Sequence, residues 1–151
     1  MKEFNSIDDI LDFAIENEQK AVDFYTNLAT VTKNSEMRET FERFAREEIG
    51  HKAKLVKIKE EKIFIVTKEN ISDLKISDYV DNVKVSSEMS YRDALILAMN
   101  REKSAFKLYT KLASKTSNTD LQNIFLSLAQ EESKHKLMFE VEYDDVILKE
   151  N

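Results

Sequence analysis

The 151-residue sequence contains no cysteine, no proline and a single glycine, Gly50. Without cysteine there are no disulfides, thiolate zinc sites or cysteine-ligated iron–sulfur centres, so any bound metal must be held by oxygen and nitrogen. Turn-rich β architectures depend on glycine and proline, and their scarcity points to long helices joined by few loops. No apolar run approaches the ~20 residues needed to span a bilayer. The N-terminus, MKEFNSIDD, lacks the pattern of a signal peptide, and a cytoplasmic location is the expectation. A net charge of −6 argues against non-specific binding of nucleic acid. What is present is a 42% hydrophobic and 34% charged composition, in a length that suits one domain with a real core.

An internal repeat organises the chain. At an offset of 84 residues, Ser6–Leu55 lies over Ser90–Phe139 without a gap, and 18 of the 50 pairs are identical. Two copies of this period make a duplicated helical hairpin rather than a solenoid. Ser6 with Asp9, and Ser90 with Asp93, mark helix starts close to a capping box. The polar stretches 32–35 and 116–119 mark the hairpin turns, with Asn34 or Ser35 capping the second helix and Thr119, with Gln122, capping the fourth. The spacing predicts helices over 7–31, 36–62, 91–115 and 120–143, followed by a frayed polar tail, 144–151. Between the copies, residues 62–66 suit a short extended run and 72–83 a short helix. The crossover, about 63–90, is long enough to return along the ~40 Å of a 25-residue helix.

Six ionisable residues occupy positions that the helical period reserves for the core. The first helix has Leu11, Ala14, Ala21, Tyr25 and Leu28 in 3/4 spacing, and the residue completing the series is Glu18. The second has Met37, Phe41 and Phe44, then Glu48 and His51, then Leu55 and Ile58. The third repeats the first with Glu102 between Ala98 and Ala105. The fourth repeats the second with Glu132 and His135 between Leu128 and Phe139. Glu18 and Glu48 each stand 15 residues from Lys33, and Glu102 and Glu132 each stand 15 from Ser117, so each glutamate pair is level across its hairpin. Two hairpins packed about a perpendicular two-fold would pool all six residues in one layer.

Burying four carboxylates carries a desolvation and repulsion cost that two multivalent cations remove. Glu-x-x-His puts both side chains on one helix face, and two such motifs plus one glutamate from each other helix is the ligand pattern of carboxylate-bridged di-metal sites in helical bundles. The chain has only two histidines, and both complete this motif. Hard carboxylates with imidazole suit iron and manganese, with zinc a further candidate. Glu47 and Glu131 adjoin the ligands but lie about 100° round the helix, on the surface or just behind a ligand. Tyr25 and Tyr109 lie two turns beyond Glu18 and Glu102, and a buried hydroxyl there can reach a ligand carboxylate. Gly50, between Glu48 and His51, suits a place where a neighbouring side chain needs room.

These motifs, Glu18-x-x-Ala21-x-x-x-Tyr25 with Glu48-x-x-His51, and Glu102-x-x-Ala105-x-x-x-Tyr109 with Glu132-x-x-His135, resemble the rubrerythrin-like branch of the ferritin-like superfamily over about residues 6–143. The resemblance implies an all-α, ferritin-like four-helix bundle of two antiparallel hairpins with a long crossover between its second and third helices. It implies a single di-metal domain holding two iron ions, a centre that reacts with hydrogen peroxide or dioxygen. Glu48 and Glu132 would bridge the metals, Glu18 and Glu102 would be terminal ligands, and His51 and His135 would each cap one metal. The sequence shows no cysteine-rich rubredoxin segment, so electrons would come from a separate donor protein. Ala105 stands where rubrerythrins add a further glutamate, which makes the ligand set closer to that of bacterioferritin. The expectation is therefore a di-iron oxidoreductase, a homodimer acting on peroxide or dioxygen. The alternatives are a protein that oxidises and holds iron without sustained turnover, and a bundle metallated for stability alone.

Overall fold

The computed structural model describes residues 4–64, Tyr79 and residues 89–150. Four α-helices follow one another, α1 (Ile7–Val31), α2 (Ser35–Glu61), α3 (Tyr91–Ser114) and α4 (Thr119–Glu150), and no strand occurs among the described residues. The described residues fall into two compact units, one built on α1 packed against α2 and the other on α3 packed against α4. Each is one copy of the sequence repeat. No described helix is long and apolar enough to cross a membrane. The extended run expected at 62–66 and the short helix at 72–83 fall largely outside the described residues.

Side-chain caps set the helix starts. Ser6 Oγ accepts from the Asp9 amide at 3.1 Å, and Ser90 Oγ accepts from the Asp93 amide at the same distance. Asp9 Oδ2 in turn accepts from the Asn5 amide at 3.0 Å, one residue further out than a capping box. Asn34 Oδ1 accepts from the amides of Glu36 and Met37 at 2.9 and 3.1 Å. Each such cap is worth about 1 kcal/mol. At α4 the expectation needs correcting, because the cap is Asn118, whose Oδ1 accepts from the Leu121 amide at 3.1 Å, and not Thr119. Gln122 is drawn away from a capping role, since its Nε2 donates to the Ala113 carbonyl at 3.2 Å and ties the two ends of the turn together. α2 ends on Lys62, the one described non-glycine residue with a left-handed backbone, φ 51°.

The C-terminal tail is the second correction, for it is helical to Glu150 and does not fray after residue 143. Residues 144–151 contain neither glycine nor proline, the residues that would stop it. Glu142, Tyr143, Val146 and Ile147 are half-buried at helical spacing, so one face still packs after the ligand motif ends. The Tyr91 hydroxyl, at the start of α3, donates to Glu142 Oε2 at 2.7 Å and anchors that extension.

Candidate metal centre

In each hairpin the core seam runs along both helices, and the candidate ligands stand within it. Leu11, Ala14, Glu18, Tyr25 and Leu28 are buried on α1, and Met37, Phe41, Phe44, Glu48, His51, Leu55 and Ile58 are buried on α2. On α3 the buried series is Leu95, Ala98, Glu102, Tyr109 and Leu112, and on α4 it is Leu121, Phe125, Leu128, Glu132, His135 and Phe139. None of the six ionisable residues is more than 2% exposed. Charged side chains are almost never buried so completely without a compensating partner.

Within the first hairpin, His51 Nδ1 lies 3.6 Å from Glu18 Oε2, across the helix pair, and 3.4 Å from Glu48 Oε1, one turn away on its own helix. Each of these residues offers a ligand atom, and the three atoms lie within 4.8 Å of one another. The second hairpin repeats this with Glu102, Glu132 and His135, again within 4.8 Å. There the same nitrogen, His135 Nδ1, lies 3.6 Å from Glu102 Oε1. Separations of 3.4 and 3.6 Å are poor hydrogen bonds. They do suit donors that share one cation through bonds of about 2.0–2.2 Å. Two carboxylates at this range repel by about 4 kcal/mol at an effective dielectric near 20. Divalent charge between them reverses that sign. Outside these six residues, no cluster of three or more potential ligands is found among the described residues.

The neighbours expected from sequence are placed as follows. Tyr25 and Tyr109 are each 1% exposed, and the Tyr25 ring meets Phe24 and Phe44 edge-on at centroid distances of 5.7 and 6.0 Å. Glu47 is half-buried and turned toward Arg43, with 3.9 Å between Oε1 and Nε, and Glu131 is half-buried at the matching place. Gly50 departs from expectation. A Cβ built on it would meet nothing within 4 Å, so no neighbour needs the room. Sequence reasoning also passed over Arg38, whose Nε and Nη2 both donate to the Thr32 carbonyl, at 3.3 and 3.0 Å, and close the first turn. Its position as the repeat partner of Gln122 was the available signal.

Comparison with known proteins identifies a family and a fold. A family model described as Rubrerythrin matches residues 9–143. A structure described as a hypothetical protein from Pyrococcus furiosus superimposes with a TM-score of 0.71 at 24% identity, covering 92% of this chain and 89% of that one. A structure from Thermotoga maritima, described as a candidate ferritin-like diiron-carboxylate protein, gives a TM-score of 0.78 at 20% identity, covering 97% of this chain and 99% of that one. At such identities the likeness shows the fold alone, which is the all-α ferritin-like four-helix bundle. No curated protein matches the chain.

Proposed function

This chain belongs to the rubrerythrin family, and on that premise we propose that its two Glu–Glu–His triads hold a pair of iron ions and that the protein reduces hydrogen peroxide or dioxygen with electrons from a separate donor. The observation that carries the reading is the twofold occurrence of one buried triad, each with two carboxylates and an imidazole nitrogen within 4.8 Å. The donor set fits iron, because hard carboxylate oxygens and imidazole suit it, and manganese is the nearest competitor.

In this reading Glu18, Glu48 and His51 hold one ion, and Glu102, Glu132 and His135 the other. On the family pattern, Glu48 and Glu132 would take part in holding both ions. The four carboxylates balance the charge of two divalent cations, so the loaded site is close to neutral in its apolar surroundings. Iron bound there supplies the reducing electrons and the Lewis acidity that the oxidant requires. Phe41, Phe44 and Leu55 in one hairpin, and Phe125, Leu128 and Phe139 in the other, share the buried seams with the ligands and limit water beside them. Tyr25 and Tyr109 hold a ligand carboxylate in orientation through their hydroxyls.

A second reading, oxidation and retention of iron without sustained turnover, is favoured by Ala105, which offers no donor where rubrerythrins add a glutamate. Anaerobically reduced, iron-loaded protein mixed with each oxidant separates the two. Faster oxidation by peroxide than by dioxygen, with continued consumption when a reductant is supplied, is the expected result. Rapid reaction with dioxygen alone, ending in retained ferric iron, selects the second reading.

A further inference from the structure

Helices α1 and α3 are repeat partners of opposite charge. Leaving aside the ligand candidates Glu18 and Glu102, α1 carries five acidic residues and one basic, a net of −4, while α3 carries five basic and one acidic, a net of +4. Three of the α3 cations, Lys103, Lys107 and Lys111, follow one another at intervals of four, where α1 has Gln19, Asp23 and Asn27. That interval keeps them within an arc of about 80° and a length of about 12 Å, on the side of the helix away from Leu95, Ala98, Glu102 and Tyr109. All three are exposed, and none enters an ion pair or a side-chain hydrogen bond among the described residues. Lysines four apart on a helix repel by about 0.2–0.5 kcal/mol a pair, and only Lys111, in the last turn, gains from the helix dipole. After Asp93, α3 has no acidic residue but Glu102 to offset them. Apolar groups adjoin the stripe, for Ile96 and Phe106 are 38 and 40% exposed. The hairpin does not require this face, since the other copy folds without it.

On the reading that electrons reach the metal centre from a separate protein, we propose that this face of α3 is where that donor docks, through an acidic surface of its own. Complementary charge speeds and orients the encounter of two proteins. Phe106 and Ile96 supply the apolar contact that a charged rim alone does not. The place suits the task. Lys103 adjoins Glu102 in the chain and Phe106 lies one turn beyond it, so only the thickness of one helix, about 10 Å, separates the docked surface from a ligand of the centre. Each docking passes one electron from the donor's reduced cofactor to a ferric ion. Two such electrons, with two protons, reduce hydrogen peroxide to two waters. A nucleic acid is the poorer occupant, because a chain with a net charge of −6 repels a long polyanion beyond the short stripe.

A ferredoxin is the probe, since its surface is acidic and its iron–sulfur cluster passes one electron at a time. Calorimetric titration of ferredoxin into the full chain, without added metal, at about 0.02 M and about 0.3 M salt compares weak with strong screening. The wild type is expected to bind, and to bind at least about tenfold more weakly at the higher salt. Lys103→Glu with Lys107→Glu should weaken low-salt binding at least about tenfold, while Lys54→Glu with Lys57→Glu on α2, the same change in net charge, should alter it by less than about threefold. Iron-loaded protein adds a second readout. With reduced ferredoxin the α3 variant should consume peroxide far more slowly than wild type, and with hydroquinone, a small neutral reductant, at the wild-type rate. A wild type that does not bind ferredoxin at low salt, or an α2 variant weakened as much as the α3 variant, overturns the proposal. So does an α3 variant slowed equally with both reductants, or a DNA duplex that binds the wild type more tightly than ferredoxin does. A lower melting temperature for the α3 variant would show that the lysines are engaged within their own chain, and would overturn it too. Binding as expected, with no peroxide consumed by wild type under either reductant, would refute the reaction assigned to the centre and leave the docking face standing.

Discussion

His51 and Glu18 stand on different helices, yet Nδ1 of one and Oε2 of the other come to 3.6 Å in the buried centre of their hairpin. Their repeat partners, His135 and Glu102, reach the same distance through the same nitrogen. This convergence makes metal content the most direct readout. The wild type should carry close to two iron or manganese ions per chain, and Glu18→Ala with His51→Leu should lower that to about one by elemental analysis. A wild type that saturates at one ion, with no loss in this variant, would sink the two-triad assignment.

Removing the metals should destabilise the fold, because the carboxylates of each triad are left to repel. If free metal is about 100-fold above its dissociation constant, each ion contributes about 2.7 kcal/mol, and the two together about 5.4 kcal/mol. Chelation should then lower the melting temperature by roughly 11–22 °C for a chain of this size. Replacing Glu18, Glu48 and His51 together by leucine should make the apo protein more stable than apo wild type, as apolar groups take over buried polar positions. Equal melting temperatures with and without chelator would contradict the account.

Gly50 lies in mid-helix, with open space where a side chain would go. Gly50→Ala should therefore stabilise the protein by about 0.8–1 kcal/mol, since alanine restores helix propensity without a clash. The expected rise in melting temperature is about 2–4 °C, with metal content unchanged. Destabilisation, or loss of metal, would show that the helix must yield at this point.

Tyr91 is half-buried, and burial, followed by its bond to Glu142, holds its phenol well above the ordinary range. The neutral phenol is thus favoured in the folded state. Its contribution is complete below the unfolded pKa, about 10, and is lost as pH rises beyond it. Tyr91→Phe should cost about 1 kcal/mol at pH 7, and the gap from wild type should narrow above about pH 10. Urea denaturation of both proteins between pH 7 and 11 measures this. A gap that stays constant to pH 11 would refute the linkage.

Much of this was legible in the sequence, for identifiable reasons. Ser6, Asn34 and Ser90 cap helices whose starts they signal, because a short side-chain oxygen before an apolar period has few other uses. The six ligand candidates stood out because glutamate and histidine interrupt an otherwise apolar seam twice at equal spacing, and all six are buried. Asn118 was passed over for Thr119, since either can cap and only the Leu121 amide decides between them. The end of α4 was missed because Asp144 and Asp145 read as a solvated tail, while the half-buried Val146 and Ile147 and the Tyr91–Glu142 bond are tertiary facts. Gly50 invited a packing explanation that only its surroundings could remove.

The two hairpins are alike within and unlike without. Glu18, Glu48 and His51 recur as Glu102, Glu132 and His135, but Arg38, Arg43 and Arg46 on α2 are answered by Gln122, Ser127 and Gln130 on α4. Duplication has thus left a chain whose pseudosymmetry ends at its surface. A visitor from solvent can tell the halves apart although the ligands cannot, so a chemically paired interior is open to service by an unpaired partner.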